Sequence, residues 1–146
     1  MSKIENLLRE YPSVIAQISE LHQRFIEKVA EKQRQENPLK AIAPNDMPRG
    51  KGQSDPTFEL AQKIVDGIIA EIQDISEKLQ VLYAKRNYIE ALVKQLEPIE
   101  YRIINLRYFQ NMYLWQVGQA LHYSKSEAYR MNQKILERLE HMEQIR

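Results

Sequence analysis

The chain has no cysteine, which excludes a disulfide framework, a thiolate metal site and a thiol nucleophile. It has four glycines and six prolines, too few for a loop-rich or low-complexity protein. No apolar run approaches the roughly 18 residues of a membrane span, and Met1-Ser2-Lys3 opens no secretory signal. The expected setting is therefore the cytoplasm, with no membrane partner. An excess of charge is also missing: 21 Lys and Arg stand against 20 Asp and Glu, a net of +1. That balance argues against sequence-blind coating of nucleic acid. The three histidines, His22, His122 and His141, are far apart, and none sits in a metal-ligand spacing. No Ser-His-acid set or nucleophile elbow accompanies them. Neither enzymatic activity nor a metal or cofactor is expected.

What the chain has is helical periodicity. Charged residues make up 28% of 146 positions, which suits one all-α domain, or a small domain plus an extended element. The predicted architecture is a long N-terminal helical hairpin or coiled coil joined to a small C-terminal helix-turn-helix. Residues 1–36 read as helix, with Ile4, Leu8, Tyr11, Ile15, Ile18, His22, Phe25 and Val29 spaced by four and three. Pro12 is expected to open a fresh helix. This stripe either binds a partner or packs on the chain's own later helix, and the second reading is preferred. His22 is a tolerated interruption of it.

Residues 37–55 break the pattern with Pro38, Pro44, Pro48, Gly50 and Gly52 and read as a linker. Arg49 and Lys51 make it basic, so it is either a DNA arm for the minor groove or a solvated connector. Gly50-Lys51-Gly52-Gln53-Ser54 lacks the spacing of a phosphate-binding loop, and no strand precedes it.

Asp55-Pro56 restarts a helix as N-cap and first helical position. Residues 56–97 carry the seam Ala61, Val65, Ile68, Ile72, Ile75, Leu79, Leu82, Arg86, Ile89, Val93, Leu96, without a slip. A continuous helix here would be roughly 60 Å long. It cannot bury its seam alone. The first helix can fold back on part of it, and the Ile-rich remainder predicts a homo-oligomer through the heptad helix. Pro98 should end the long helix at a hinge, because Glu97 before it is pushed out of helical geometry.

Residues 98–146 read as three short helices. The first runs from Ile99 to about Met112, with Ile103, Ile104, Leu106 and Phe109 inward. The second runs from Leu114 to about Leu121, with Val117, Ala120 and Leu121 inward. The third follows Ser124, a capping residue, and carries the stripe Ala128, Met131, Ile135, Leu139 and Met142. The turn His122-Tyr123-Ser124 is short enough for a helix-turn-helix. The opposite face of the third helix presents Lys125, Ser126, Glu127, Tyr129, Arg130, Gln133 and Lys134. From Tyr101 to Ile135 there are five Lys or Arg (Arg102, Arg107, Lys125, Arg130, Lys134) against one acid, Glu127. Such a local basic face suits DNA. Arg130 and Lys125 are placed for guanine or phosphate, Gln133 for adenine, Glu127 for cytosine and Ser126 for reading a base, and Ser124 is counted with them as a DNA contact. Tyr129 suits the backbone or a thymine methyl, and Arg102 and Arg107 suit phosphate. Trp115 is expected in the core or as an indole donor to phosphate.

Leu106-Arg107-Tyr108, Val117-Gly118, Leu121 and Ser124 together resemble the fourth-region helix-turn-helix of bacterial sigma factors, although His122 stands where a turn glycine is common. A larger part of the chain resembles phage transcriptional activators of the RinA and ArpU type. The matching pieces are Tyr11-Pro12, Met47-Pro48-Arg49-Gly50, Ser54-Asp55-Pro56-Thr57, Leu121-His122-Tyr123-Ser124 and Tyr129-Arg130. The resemblance implies a DNA-binding activator of phage or prophage late genes that acts with host RNA polymerase on double-stranded DNA. Two other readings stand beside it. One is a DNA-packaging recognition subunit like the small terminase, and the other is a helical adaptor whose heptads do the binding.

Overall fold

The computed structural model describes residues 2–41 and 56–145, and among these the fold is all-α. The helices are α1 (Lys3–Ala41), α2 (Pro56–Lys94), α3 (Pro98–Ile104), α4 (Leu114–Leu121) and α5 (Lys125–Ile145), with a π-helical turn over Asn105–Phe109 after α3. The proposed arm residues Arg49 and Lys51 lie outside the described residues.

Two compact units form. One gathers Met1–Gln17 with Leu82–Arg146, and the other is Ile18–Val81. Only α1 and α2 contribute described residues to the second unit. Its buried side chains, Ile18, Val65, Ile68, Ile75 and Leu79, are therefore packed between these two helices. Lys28 reaches across to Glu71 at 2.6 Å, which raises the lysine pKa. The α2 seam is thus covered here by α1 of the same copy. Ile26, Phe58, Leu60 and Ile64 remain outward.

The first unit is one core built from both ends of the chain. Ile4 and Leu8 of α1 and Ile89, Leu92, Val93 and Leu96 from the end of α2 cluster with Ile103, Ile104 and Tyr108. Val117 of α4 and Ile135, Leu136 and Leu139 of α5 complete it. Polar contacts run around the rim. The Tyr11 hydroxyl donates to Glu90 at 2.6 Å, Lys3 pairs with Glu143 at 2.8 Å, and Lys85 pairs with Glu10. Burial, reinforced by the Glu90 carboxylate, pushes the Tyr11 phenol up to about 12. Lys3 holds the Glu143 carboxyl below its ordinary value, and Glu143 raises Lys3 in return.

This division corrects the expected hinge. Glu97 does leave helical geometry (φ −68°, ψ 158°), and its N–H donates to Glu100 at 3.0 Å to start α3. The break is local, however. Leu96 is buried in the common core, and Glu100 pairs with Arg138 of α5, so no free joint sits at Leu96–Pro98.

Four further readings change. First, α1 passes through Pro12 and ends at Ala41 rather than 36. Pro12 is exposed, and burial of Leu8 and Val14 on either side offsets the helical hydrogen bond that its missing N–H removes. Second, Val14 is buried and Ile15 exposed, and half-buried Leu21 takes the place given to His22, which is exposed. A step of three after Tyr11 keeps this stripe on its partner. Third, α3 gives way to the π turn well before Met112, with Gln110 N–H bonded to Asn105 O at 2.9 Å. The wider turn moves Tyr108 into the core and leaves Phe109 half-buried on the Tyr11 ring, centroids 4.5 Å apart. Fourth, Ala120 is exposed, because Val117 and Gly118 form the buried side of α4.

Candidate nucleic-acid interface

The site is built on α4, the turn and α5. His122 adopts the left-handed conformation (φ 63°, ψ 39°) that ends α4, and Tyr123 N–H bonds Gly118 O at 2.8 Å. Histidine tolerates this region better than most residues, so the turn forms without the expected glycine. The glycine that the turn does need is Gly118. A Cβ added there would meet the Tyr123 carbonyl oxygen at 2.8 Å and the Ala128 Cβ at 3.5 Å. Gly118→Ala is expected to cost about 1–3 kcal/mol through overpacking against backbone. At about 2–4 °C per kcal/mol, calorimetry should show the melting point fall by several degrees.

Ser124 caps α5. Its hydroxyl accepts the Glu127 N–H at 3.1 Å and donates to the Glu127 carboxylate at 2.9 Å. Glu127 is therefore engaged in the cap rather than free as a base reader. Beyond the cap, the helix period separates two faces. Ala128, Asn132, Ile135, Leu136 and Leu139 are buried, whereas Lys125, Ser126, Tyr129, Arg130 and Lys134 are exposed and Gln133 is half-buried. Tyr129 is 57% exposed. No ion pair holds Lys125, Arg130 or Lys134 among the described residues, while Lys3, Lys28, Lys32, Lys78, Lys85 and Arg138 all meet carboxylates. An outward face with unpaired cations, a phenol, a hydroxyl and an amide is equipped to meet a polyanion and its base edges.

The other proposed contacts separate. Arg102 is exposed on α3. Arg107 is half-buried and turned onto its own chain: its Nη1 donates to Met112 O at 2.8 Å and its guanidinium lies 5.8 Å from the Tyr108 ring. It closes the loop in which Asn111 takes a left-handed φ of 56°.

Trp115 is not in the core. It is 47% exposed and nearly parallel to Tyr113, with centroids 6.5 Å apart and a 9° interplanar angle. The sequence reading missed this pair, although the signal was there. With Leu114, Val117 and Leu121 turned inward at helical spacing, residue 115 falls on the outer face.

No curated protein and no solved structure matches this chain. A family model described as "Protein of unknown function (DUF722)" matches residues 1–141.

Proposed function

The chain belongs to the DUF722 family, and from that starting point we propose that it is a sequence-specific double-stranded DNA-binding regulator of transcription. The observation that supports this reading is the outward face of α5. Lys125, Tyr129, Arg130 and Lys134 stand exposed on a capped helix, and its opposite face is packed on the core. The activator role, the phage or prophage late genes and the contact with host RNA polymerase come from the resemblance to RinA- and ArpU-type proteins. The setting that goes with them is the bacterial cytoplasm. Association of two copies through α2 belongs to the same proposal, and the outward Phe58, Leu60 and Ile64 support it.

Affinity capture of sheared DNA from the encoding replicon, at near-physiological salt, tests the reading. One enriched site upstream of a block of late genes is expected. Enrichment at a packaging start would replace activation with packaging. Binding that merely fades as salt rises, with no enriched site, would overturn sequence-specific recognition.

A further inference from the structure

Asn132 stands out in the buried core: 3% exposed, it is the buried polar side chain among the described residues, set among apolar neighbours. Its Nδ2 donates to the Tyr108 hydroxyl at 3.0 Å, and its Oδ1 is buried with no partner among the described residues. A half-satisfied buried amide is destabilising relative to an apolar residue of the same volume, so packing alone does not account for it.

Its partner is firmly held. The Tyr108 ring lies 5.2 Å from the Arg9 guanidinium and 5.8 Å from that of Arg107, and Arg107 is itself tied to the Met112 carbonyl. Burial pushes the Tyr108 phenol up, so the hydroxyl keeps its proton. Ala128, Ile135, Leu136 and Leu139 press α5 onto the core through contacts that have no preferred direction. A rotation of about 20° moves a side-chain tip some 6 Å from the helix axis by roughly 2 Å. A shift of that size takes the Asn132 amide out of hydrogen-bond reach of the Tyr108 hydroxyl, so the bond holds at one rotation only.

We propose that Asn132 is a positioning residue for the outward face of α5: its hydrogen bond to Tyr108 selects the rotation at which Lys125, Tyr129, Arg130 and Gln133 meet base edges. This rests on the DNA-binding reading. It assigns discrimination between sequences, rather than affinity for phosphate, to a side chain that touches no DNA.

The informative variant is the double replacement Asn132→Leu with Tyr108→Phe, which removes both polar groups and leaves neither orphaned. Its melting point should equal or exceed that of the parent chain, and its affinity for random duplex should be unchanged. The ratio of affinities for the captured site and random duplex should fall at least tenfold. The backbone amide signals of α5 should broaden or double. A ratio and an α5 spectrum identical to the parent's would overturn the assignment. In the parent chain, the Asn132 side-chain amide protons should exchange as slowly as the neighbouring α5 backbone amides, and rapid exchange would overturn it without any variant. If the parent prefers no DNA site, the functional reading falls, and the α5 spectrum of the double variant alone decides the role of Asn132.

Discussion

Arg130→Glu is expected to lower affinity for the captured site by about 10²–10³-fold. A lost guanine or phosphate contact is worth about 1–3 kcal/mol, a carboxylate set against the phosphates adds to it, and each 1.4 kcal/mol is a factor of ten. Arg130 is exposed and makes no ion pair among the described residues, so thermal stability should stay within about 0.5 kcal/mol of the parent. Oligomeric state should not move either. Titration by fluorescence anisotropy at several salt concentrations provides both affinity and salt slope, and a contact to phosphate predicts a shallower slope. Unchanged affinity in a folded variant would take α5 off the DNA surface and leave the helical pair as the working part.

Leu8→Ala tests the shared core from its far end. Leu8 is 1% exposed and clusters with Ile89, Ile103 and Leu139. Truncation of such a leucine costs about 2–5 kcal/mol, because the cavity it leaves closes only in part. At about 2–4 °C per kcal/mol the melting point should drop by roughly 5–20 °C. Hydrogen exchange should place the loss in α3, α4 and α5 as well as α1. A matched Val81→Ala, on the outward side of α2 and away from Phe58, Leu60 and Ile64, should change stability by no more than about 0.5 kcal/mol. Protection that stays intact in α5 of Leu8→Ala would mean that the C-terminal helices stand without the N-terminal one.

What could be read from the sequence was what local chemistry marks. Pro56 and Pro98 open helices, Leu114 and Leu121 bound α4, and Ser124 caps α5, each from a signal within a few residues. The outward positions of Lys125, Ser126, Tyr129, Arg130 and Lys134 follow from helical spacing alone. The misses have longer-range causes. Whether Val14 or Ile15 is buried depends on the partner helix, and no pattern in α1 can decide it. The π turn depends on burying Tyr108 beside Asn132, 24 positions away. Arg107 looked like a phosphate contact because its use on Met112 O requires a backbone turn at Asn111 that a helical reading carried straight through. The largest miss, the core joining Ile4 and Leu8 to α5, is a contact between opposite ends of the chain.

That arrangement has a consequence for the order in which the chain can fold. During synthesis from the N-terminus, Ile4 and Leu8 emerge long before their neighbours Ile135 and Leu139 of α5. Until then the opening turns of α1 are exposed apolar surface, able to engage a chaperone or another nascent chain. The pairing of α1 with α2 over Ile18–Val81 closes a much shorter loop and can form while the ribosome is still at work. The surface proposed to read DNA is therefore completed after the α1–α2 pair, and only once α5 has been made.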